Sequence, residues 1–155
     1  MLAAGASTRY GGVKQRELLP AVLAALAELP YDVVVVEGAH ELEPPDGARL
    51  VRCDEWELGP GASLRCGLAA LASTVARAAI VLADGPDLDP RAVERLLAHD
   101  AAVAAATYDG RTRNHPVALA RSVWETVPDE GARALEPVLV DCSDLRPPGD
   151  VDVRR

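Results

Sequence analysis

A chain of 155 residues with 49% apolar content is sized for one domain, 1–155, and can bury a real core. Its formal net charge of −8 argues against a general nucleic-acid-binding surface, whose affinity comes from many Lys and Arg contacts to phosphates. Aromatic residues are only 3% and Phe is absent, so the core must be built from Ala, Val and Leu. No signal peptide and no apolar run of membrane-spanning length is visible, so a soluble cytoplasmic protein without a nucleic-acid or membrane partner is expected.

The chain opens with the end of an apolar strand, Met1 to Ala4, which runs through Gly5-Ala6-Ser7-Thr8-Arg9-Tyr10-Gly11-Gly12 to Lys14 and a helical pattern. Four residues are short for a central strand, so the start reads as clipped. Glu17 to Leu29 carries Leu18, Val22, Leu26 and Leu29 at near-helical spacing, with Pro20 expected in the first turn and Pro30 as the stop. Tyr31 to Glu37 contains Val33-Val34-Val35-Val36 and predicts a strand covered on both faces; Gly38 ends it. Glu41 to Gly47 predicts a loop and Arg49 to Cys53 a short strand.

After Gly59-Pro60-Gly61, a helix is expected over Ala62 to Ala72, then a strand over Ala78 to Ala83, a helix over Asp89 to His99 and a strand over Ala101 to Thr107. This alternation implies βαβ units. Cys53, Cys66 and Cys142 show no metal-ligand spacing and read as free thiols in a reducing compartment.

The chemistry concentrates in a few stretches. In the opening loop, small residues allow backbone N–H groups to approach an anion, and Arg9 and Lys14 add positive charge. This fits a phosphate-handling loop, and equally an ordinary glycine-containing turn with surface cations. Neither a Walker loop nor a G-x-G-x-x-G fingerprint is present. Ser63 opens a helix, where it could cap the first turn, contact an anion, or do both. Asp84 directly follows Ile80-Val81-Leu82-Ala83, at the strand end where open α/β sheets bind ligands; the alternative is a turn-capping carboxylate.

The spacing L-A-A-G-x-S-x-R-x-G-x-x-K, met by Leu2, Ala3, Ala4, Gly5, Ser7, Arg9, Gly11 and Lys14, resembles the signature loop of the MobA-like nucleotidyltransferases, the group with the molybdenum-cofactor cytidylyl- and guanylyltransferases. The resemblance implies a three-layer α/β/α fold with a mostly parallel, Rossmann-like sheet of the nucleotide-diphospho-sugar transferase type. It extends along the chain. Gly59 to Arg65 resembles the second nucleotide-facing loop, and Ala83-Asp84-Gly85-Pro86-Asp87 resembles the L-x-D-x-P segment. Asn114-His115-Pro116 resembles G-H-P, with Asn114 in place of glycine. Asp129 to Arg133 resembles G-D-x-G-A-R, with Val127 and Pro128 in place of the first glycine. Gly149-Asp150-Val151-Asp152 resembles D-[VI]-D-T-P, although Val153-Arg154-Arg155 replaces the usual continuation.

By resemblance, Arg9, Lys14 and Asp84 are catalytic, and Leu2, Ala3, Ala4, Gly5, Ser7, Lys14 and Ser63 bind the nucleotide. Asp84 and Asp152 hold Mg²⁺. His115 shapes the acceptor pocket, and Arg133 contacts an anionic acceptor or else pairs with Asp129 or Glu130. The implied reaction is transfer of an NMP moiety from an NTP to a phosphorylated acceptor with release of pyrophosphate. Ala4, where guanylyltransferases of the group commonly have a second glycine, tilts the expectation toward CTP and a molybdopterin-type acceptor. Two other readings are a nucleotide-binding regulator that has lost one end of the site, and a sugar-phosphate or lipid-precursor nucleotidyltransferase; the short C-terminal region counts against the latter.

Overall fold

A computed structural model of the chain describes residues 1–6, 13–43 and 45–149. Its elements are α1 (Lys14–Leu26), β1 (Val33–Glu37), β2 (Ala48–Arg52), α2 (Pro60–Ala69), β3 (Arg77–Ile80), α3 (Pro90–Ala98), β4 (Val103–Thr107), β5 (Asn114–Ala120) and β6 (Val138–Asp141), with short 3₁₀ turns at Trp56–Leu58, Arg121–Thr126 and Gly131–Ala134. Strands β1 and β2 pair in parallel, and a second sheet has the order β3-β5-β4-β6.

The opening residues join the two sheets. Leu2 forms parallel bridges to both Val36 and Leu82. Its N–H donates to the Val81 carbonyl at 2.8 Å, its carbonyl accepts from Ala83 N–H at 3.0 Å, and Ala3 N–H donates to the Val36 carbonyl at 2.9 Å. Met1 to Ala4 thus act as a central strand between β1 and the end of β3.

In the second sheet, β4 and β6 are parallel, but β5 runs antiparallel to both β3 and β4. The architecture is therefore mixed α/β, and the expectation of a mostly parallel sheet holds only for part of it. The reason lies in the link between β4 and β5. One Asp109 Oδ accepts from the N–H groups of Arg111 and Thr112 at 2.8 and 2.7 Å, the other accepts from the Thr112 hydroxyl at 2.7 Å, and Gly110 takes φ +73°. These bonds close a tight hairpin, which brings the next strand back antiparallel. They also hold the Asp109 carboxyl well below the usual carboxylate range.

Alternation along the strands sends side chains to opposite faces. Val34 and Val36 pack with Cys66, Ala70 and Leu71, whereas Val35 packs with Leu19. Val103 and Ala105 share a cluster with Leu64 and Leu68 of α2, and Ala104 and Ala106 share one with Ala92 and Leu96 of α3. The alanines of β4 are fully buried, and the small side chains let α3 lie close to the sheet.

Two further expectations change. Helix α1 begins at Lys14, so Pro20 lies inside it rather than in its first turn. Pro20 is exposed, where water can satisfy the carbonyl that its missing N–H leaves behind. Cys53 and Cys66 are joined as a disulfide with a Cα–Cα separation of 5.9 Å, because α2 lies over β1 and the end of β2; the buried Cys142 remains a free thiol. Strands β5 and β6 and the 3₁₀ turns complete the part of the chain after Thr107.

Helix α2 starts at Pro60, and its first turn packs against the 127–131 segment. Gly61 N–H donates to the Asp129 carbonyl at 2.8 Å, and a Cβ on Gly61 would stand 1.9 Å from the Pro128 carbonyl oxygen. Gly61→Ala must therefore push two backbone segments apart and should lower stability by about 2 kcal/mol, the scale of an overpacked core; urea denaturation measures it. The Met1 amine is enclosed and donates to the Val34 carbonyl at 2.6 Å, and burial lowers its pKa to about 5 from 8.0. The folded state thus favours the neutral amine. In the chain beginning at Met1, the stability present above pH 8 should fall progressively as the pH drops from 8 toward 5. Urea midpoints across that window check this, and acetylation of the amine should flatten the dependence.

Candidate active site

Sheet pairing of the opening segment ends at Ala4, whose carbonyl accepts from Ala39 N–H at 3.1 Å. Leu2 commits its N–H and its carbonyl to the sheet, and Ala3 its N–H. Ala3 and Ala4 are buried, and the Ala4 methyl packs against Gly38, where an added Cβ would stand 2.8 Å from it. Gly5 differs. Its backbone is outside the left-handed region, and among the described residues an added Cβ would meet only Gln15 Nε2, at an ordinary 3.5 Å.

The loop resumes in the structure at Val13. Lys14, expected on an exposed loop, is instead the first residue of α1 and is buried. Its ammonium lies 2.8 Å from Asp84 Oδ2. The side chains are 10% and 29% exposed, so the lysine is nearly enclosed while the carboxylate keeps an open side. Asp84 follows Ala83, whose N–H donates to Leu2, so the pair sits where the opening segment and the β3 strand end side by side. Burying this ammonium requires a partner of opposite charge, and Asp84 supplies it.

Ser63 is buried in the second turn of α2. It is not the N-cap, a position held by Gly59. With Gly61 N–H directed to Asp129, the α2 N-terminus is covered by the 127–131 segment rather than open to an anion. Arg65 braces the same segment, donating to the Val127 carbonyl at 2.8 Å and to Asp129 Oδ1 at 2.7 Å.

A cavity of about 500 Å³ is lined by Arg113, Asn114, His115, Val117, Ala132, Arg133, Pro147 and Gly149. The Arg133 side chain is exposed, and Asp129 is paired with Arg65, so the alternative Arg133–Asp129 pair does not form. Arg113, which the sequence reading passed over, donates to the carbonyls of Ala132, Arg133 and Leu135, each at 2.9 Å, and so fixes the turn that carries Arg133. His115 Nδ1 lies 3.4 Å from the Ile80 carbonyl, and the His115 carbonyl accepts from the Tyr108 hydroxyl at 3.0 Å. Burial and the nearby Cys142 and Asp89 push the tyrosine pKa up to about 12, so it remains a donor.

The cavity adjoins the Asp84 loop. The Pro148 carbonyl accepts from Asp87 N–H at 3.0 Å, and a Cβ on Gly85 would meet Pro148 at 3.1 Å. Ser7, Arg9 and Asp152 lie outside the described residues. Among the described residues no group of three His, Cys, Asp or Glu side chains could hold a metal ion, and Asp84 offers a carboxylate with an open side. That donor set suits Mg²⁺, which is commonly held by one or two carboxylates plus substrate phosphates. A second cavity, of about 350 Å³, is lined chiefly by aliphatic side chains between β1, β3, α1 and α2, including Met1, Leu26, Val33, Leu68 and Ala79. It lacks the convergent polar groups of the first.

No helix among the described residues is long and apolar enough to cross a membrane. No curated protein matches the chain. Two solved structures share the fold with a TM-score of 0.76: Rv0371c from Mycobacterium tuberculosis H37Rv, at 24% identity over 98% of this chain and 90% of that one, and its homologue from mycobacterium sp. strain JC1, at 26% over 99% and 88%. A structure of Rv0371c in complex with manganese aligns at 20% identity over 90% of this chain and 85% of that one, with a TM-score of 0.65. The MobA-like NTP transferase domain model matches residues 1–139, and the chain belongs to that family.

Proposed function

We propose that this protein is a Mg²⁺-dependent nucleotidyltransferase that joins the NMP moiety of an NTP, CTP by preference, to a small phosphorylated acceptor such as a molybdopterin-type cofactor. The observation that carries the reading is the Lys14–Asp84 pair beside the Gly5 loop, a nearly enclosed cation and a half-open carboxylate 2.8 Å apart. The glycine at position 5 adds support. With no side chain there, a phosphate can approach the backbone closely, and among the described residues only Gln15 Nε2 lies within reach of where a Cβ would stand. The fold favoured by this reading is the three-layer arrangement of nucleotide-diphospho-sugar transferases. We take it to work as a single domain in the cytoplasm.

In the reaction, an oxygen of the acceptor phosphate attacks the α-phosphorus of the NTP, and the bond to the bridging oxygen of the β-phosphate breaks to release pyrophosphate. Lys14 and Arg9 balance the charge of the phosphate chain. Asp84, with Asp152, would hold Mg²⁺, which when bound supplies further neutralisation of phosphate oxygens. Ser7 and Ser63 would contact the nucleotide. Arg133 and His115, in the cavity with Arg113, would receive the anionic acceptor. The manganese complex of Rv0371c agrees with a divalent ion in a relative of this fold.

Asp84→Asn should keep the shape of the site while removing the metal-binding charge. Turnover should fall by about two orders of magnitude or more, the scale of the charge stabilisation a bound metal supplies. Pyrophosphate release measures it, and undiminished turnover would remove Asp84 from the mechanism. Lys14→Met should abolish triphosphate binding and lower the melting temperature modestly, because Asp84, which keeps an open side to water, loses its cation. A thermal-shift series with Mg²⁺ and each NTP tests the nucleotide assignment, since a ligand of the folded state raises stability by mass action. CTP should give the largest shift. A larger shift with GTP or ATP would overturn the cytidylyl assignment, and no shift with any NTP would overturn nucleotidyl transfer.

A further inference from the structure

Two side chains outside the assigned site residues hold the carbonyls of the loop by which the chain leaves the sheet. Gln15 Nε2 donates to the Gly5 carbonyl at 2.8 Å, and His40 Nε2 lies 3.0 Å from the Ala6 carbonyl. A carbonyl can only accept, so His40 carries its proton on Nε2. Both donors come from rigid surroundings. Gln15 is buried in the first turn of α1, next to Lys14. His40 sits in a short loop after β1 that is pinned twice, by Ala39 N–H donating to the Ala4 carbonyl at 3.1 Å and by Leu42 N–H donating to the buried Glu37 carboxylate at 2.6 Å.

A trans peptide is planar, with its C=O and N–H directed to opposite sides. Fixing the Gly5 carbonyl toward Gln15 therefore fixes the Ala6 N–H in the opposite direction. Drawing the Ala6 carbonyl to His40 occupies a second oxygen whose partial negative charge would repel an anion. Backbone N–H groups free to face an anion, with the neighbouring carbonyls held elsewhere, are a means by which backbone binds phosphate.

We infer that Gln15 and His40 are positioning residues that orient the Gly5–Ala6 backbone as a cradle for a polyphosphate chain. The inference rests on the nucleotidyl-transfer reading for its ligand class, but assigns residues outside it. Neither side chain needs to touch the nucleotide; each acts through the carbonyl it holds.

The test uses the full chain and two probes with Mg²⁺, inorganic tripolyphosphate and CTP, titrated by calorimetry into the parent, Gln15→Glu, His40→Leu and His40→Gln, with urea midpoints for each. Gln15→Glu replaces a donor with an acceptor at nearly constant shape, and His40→Leu removes the donor. Each should weaken both probes by about tenfold, the scale of one lost hydrogen bond. His40→Gln, which restores an N–H donor, should regain most of the affinity. A purely structural role would instead make the affinity loss follow the loss of urea midpoint, with no rescue by glutamine, and would overturn the inference. So would unchanged tripolyphosphate affinity in both Gln15→Glu and His40→Leu. Tripolyphosphate binding that responds to the variants while CTP fails to bind the parent would retain the cradle and overturn nucleotidyl transfer. Binding of neither probe to the parent would overturn both.

Discussion

The hydrogen bonds that Leu2 and Ala3 make to the strands on either side set the geometry of everything else. The two sheets have no other described strand between them, and Leu2 alone bridges to both Val36 and Leu82. Because this segment pairs in parallel, β1, Met1 to Ala4 and the end of β3 all finish on the same side of the molecule. The loops that leave them carry His40, Gly5 and Asp84. Strand pairing thus brings residues far apart in sequence to one edge, which is where open α/β sheets bind their ligands.

At that edge the electrostatics are local. The chain is acidic overall, with 24 Asp and Glu against 16 Lys and Arg, so a site for anions cannot depend on net charge. The proposed site has instead a nearly enclosed ammonium, Lys14, whose field is screened less than that of an exposed lysine. Enclosure has a cost, offset by Asp84 at 2.8 Å. The same carboxylate is a hard oxygen group that keeps an open side. One ion pair therefore serves folding and, on the proposed reading, would also suit a divalent ion with phosphates, because bound phosphates would relieve Lys14 of its need for Asp84.

Most of the sheet and all three helices were legible in the sequence because their signals are local. Val33 to Val36 is a contiguous β-branched run, buried almost throughout, and Asp89 caps α3 by accepting from Arg91 N–H at 3.0 Å. Asp84 was legible as a carboxylate directly after an apolar run. What was not legible depends on contacts between distant residues. The Cys53–Cys66 pair spans 13 residues, and its spacing says nothing until α2 is laid over β1. The antiparallel course of β5 follows from the Asp109 hairpin, which the alternation of strands and helices hides. Lys14 stood out as a loop cation, but its burial and its partner could be known only once the β3 strand end was placed beside it.

The residues that sequence reading missed share one chemical habit. Arg113, Arg65, Gln15 and His40 each direct a side-chain nitrogen at a backbone carbonyl, of Ala132, Val127, Gly5 and Ala6 in turn. No motif records this, because a carbonyl has no residue identity. Its effect is nonetheless directional. A loop whose carbonyls are held by its own protein presents fewer acceptors to a ligand, and its N–H groups keep a fixed direction. Around an anionic substrate that bias favours binding without adding net charge. On the proposed reading, a site in an acidic chain can then rely on few cations: Lys14 would supply charge, and the surrounding backbone is held so as not to oppose it.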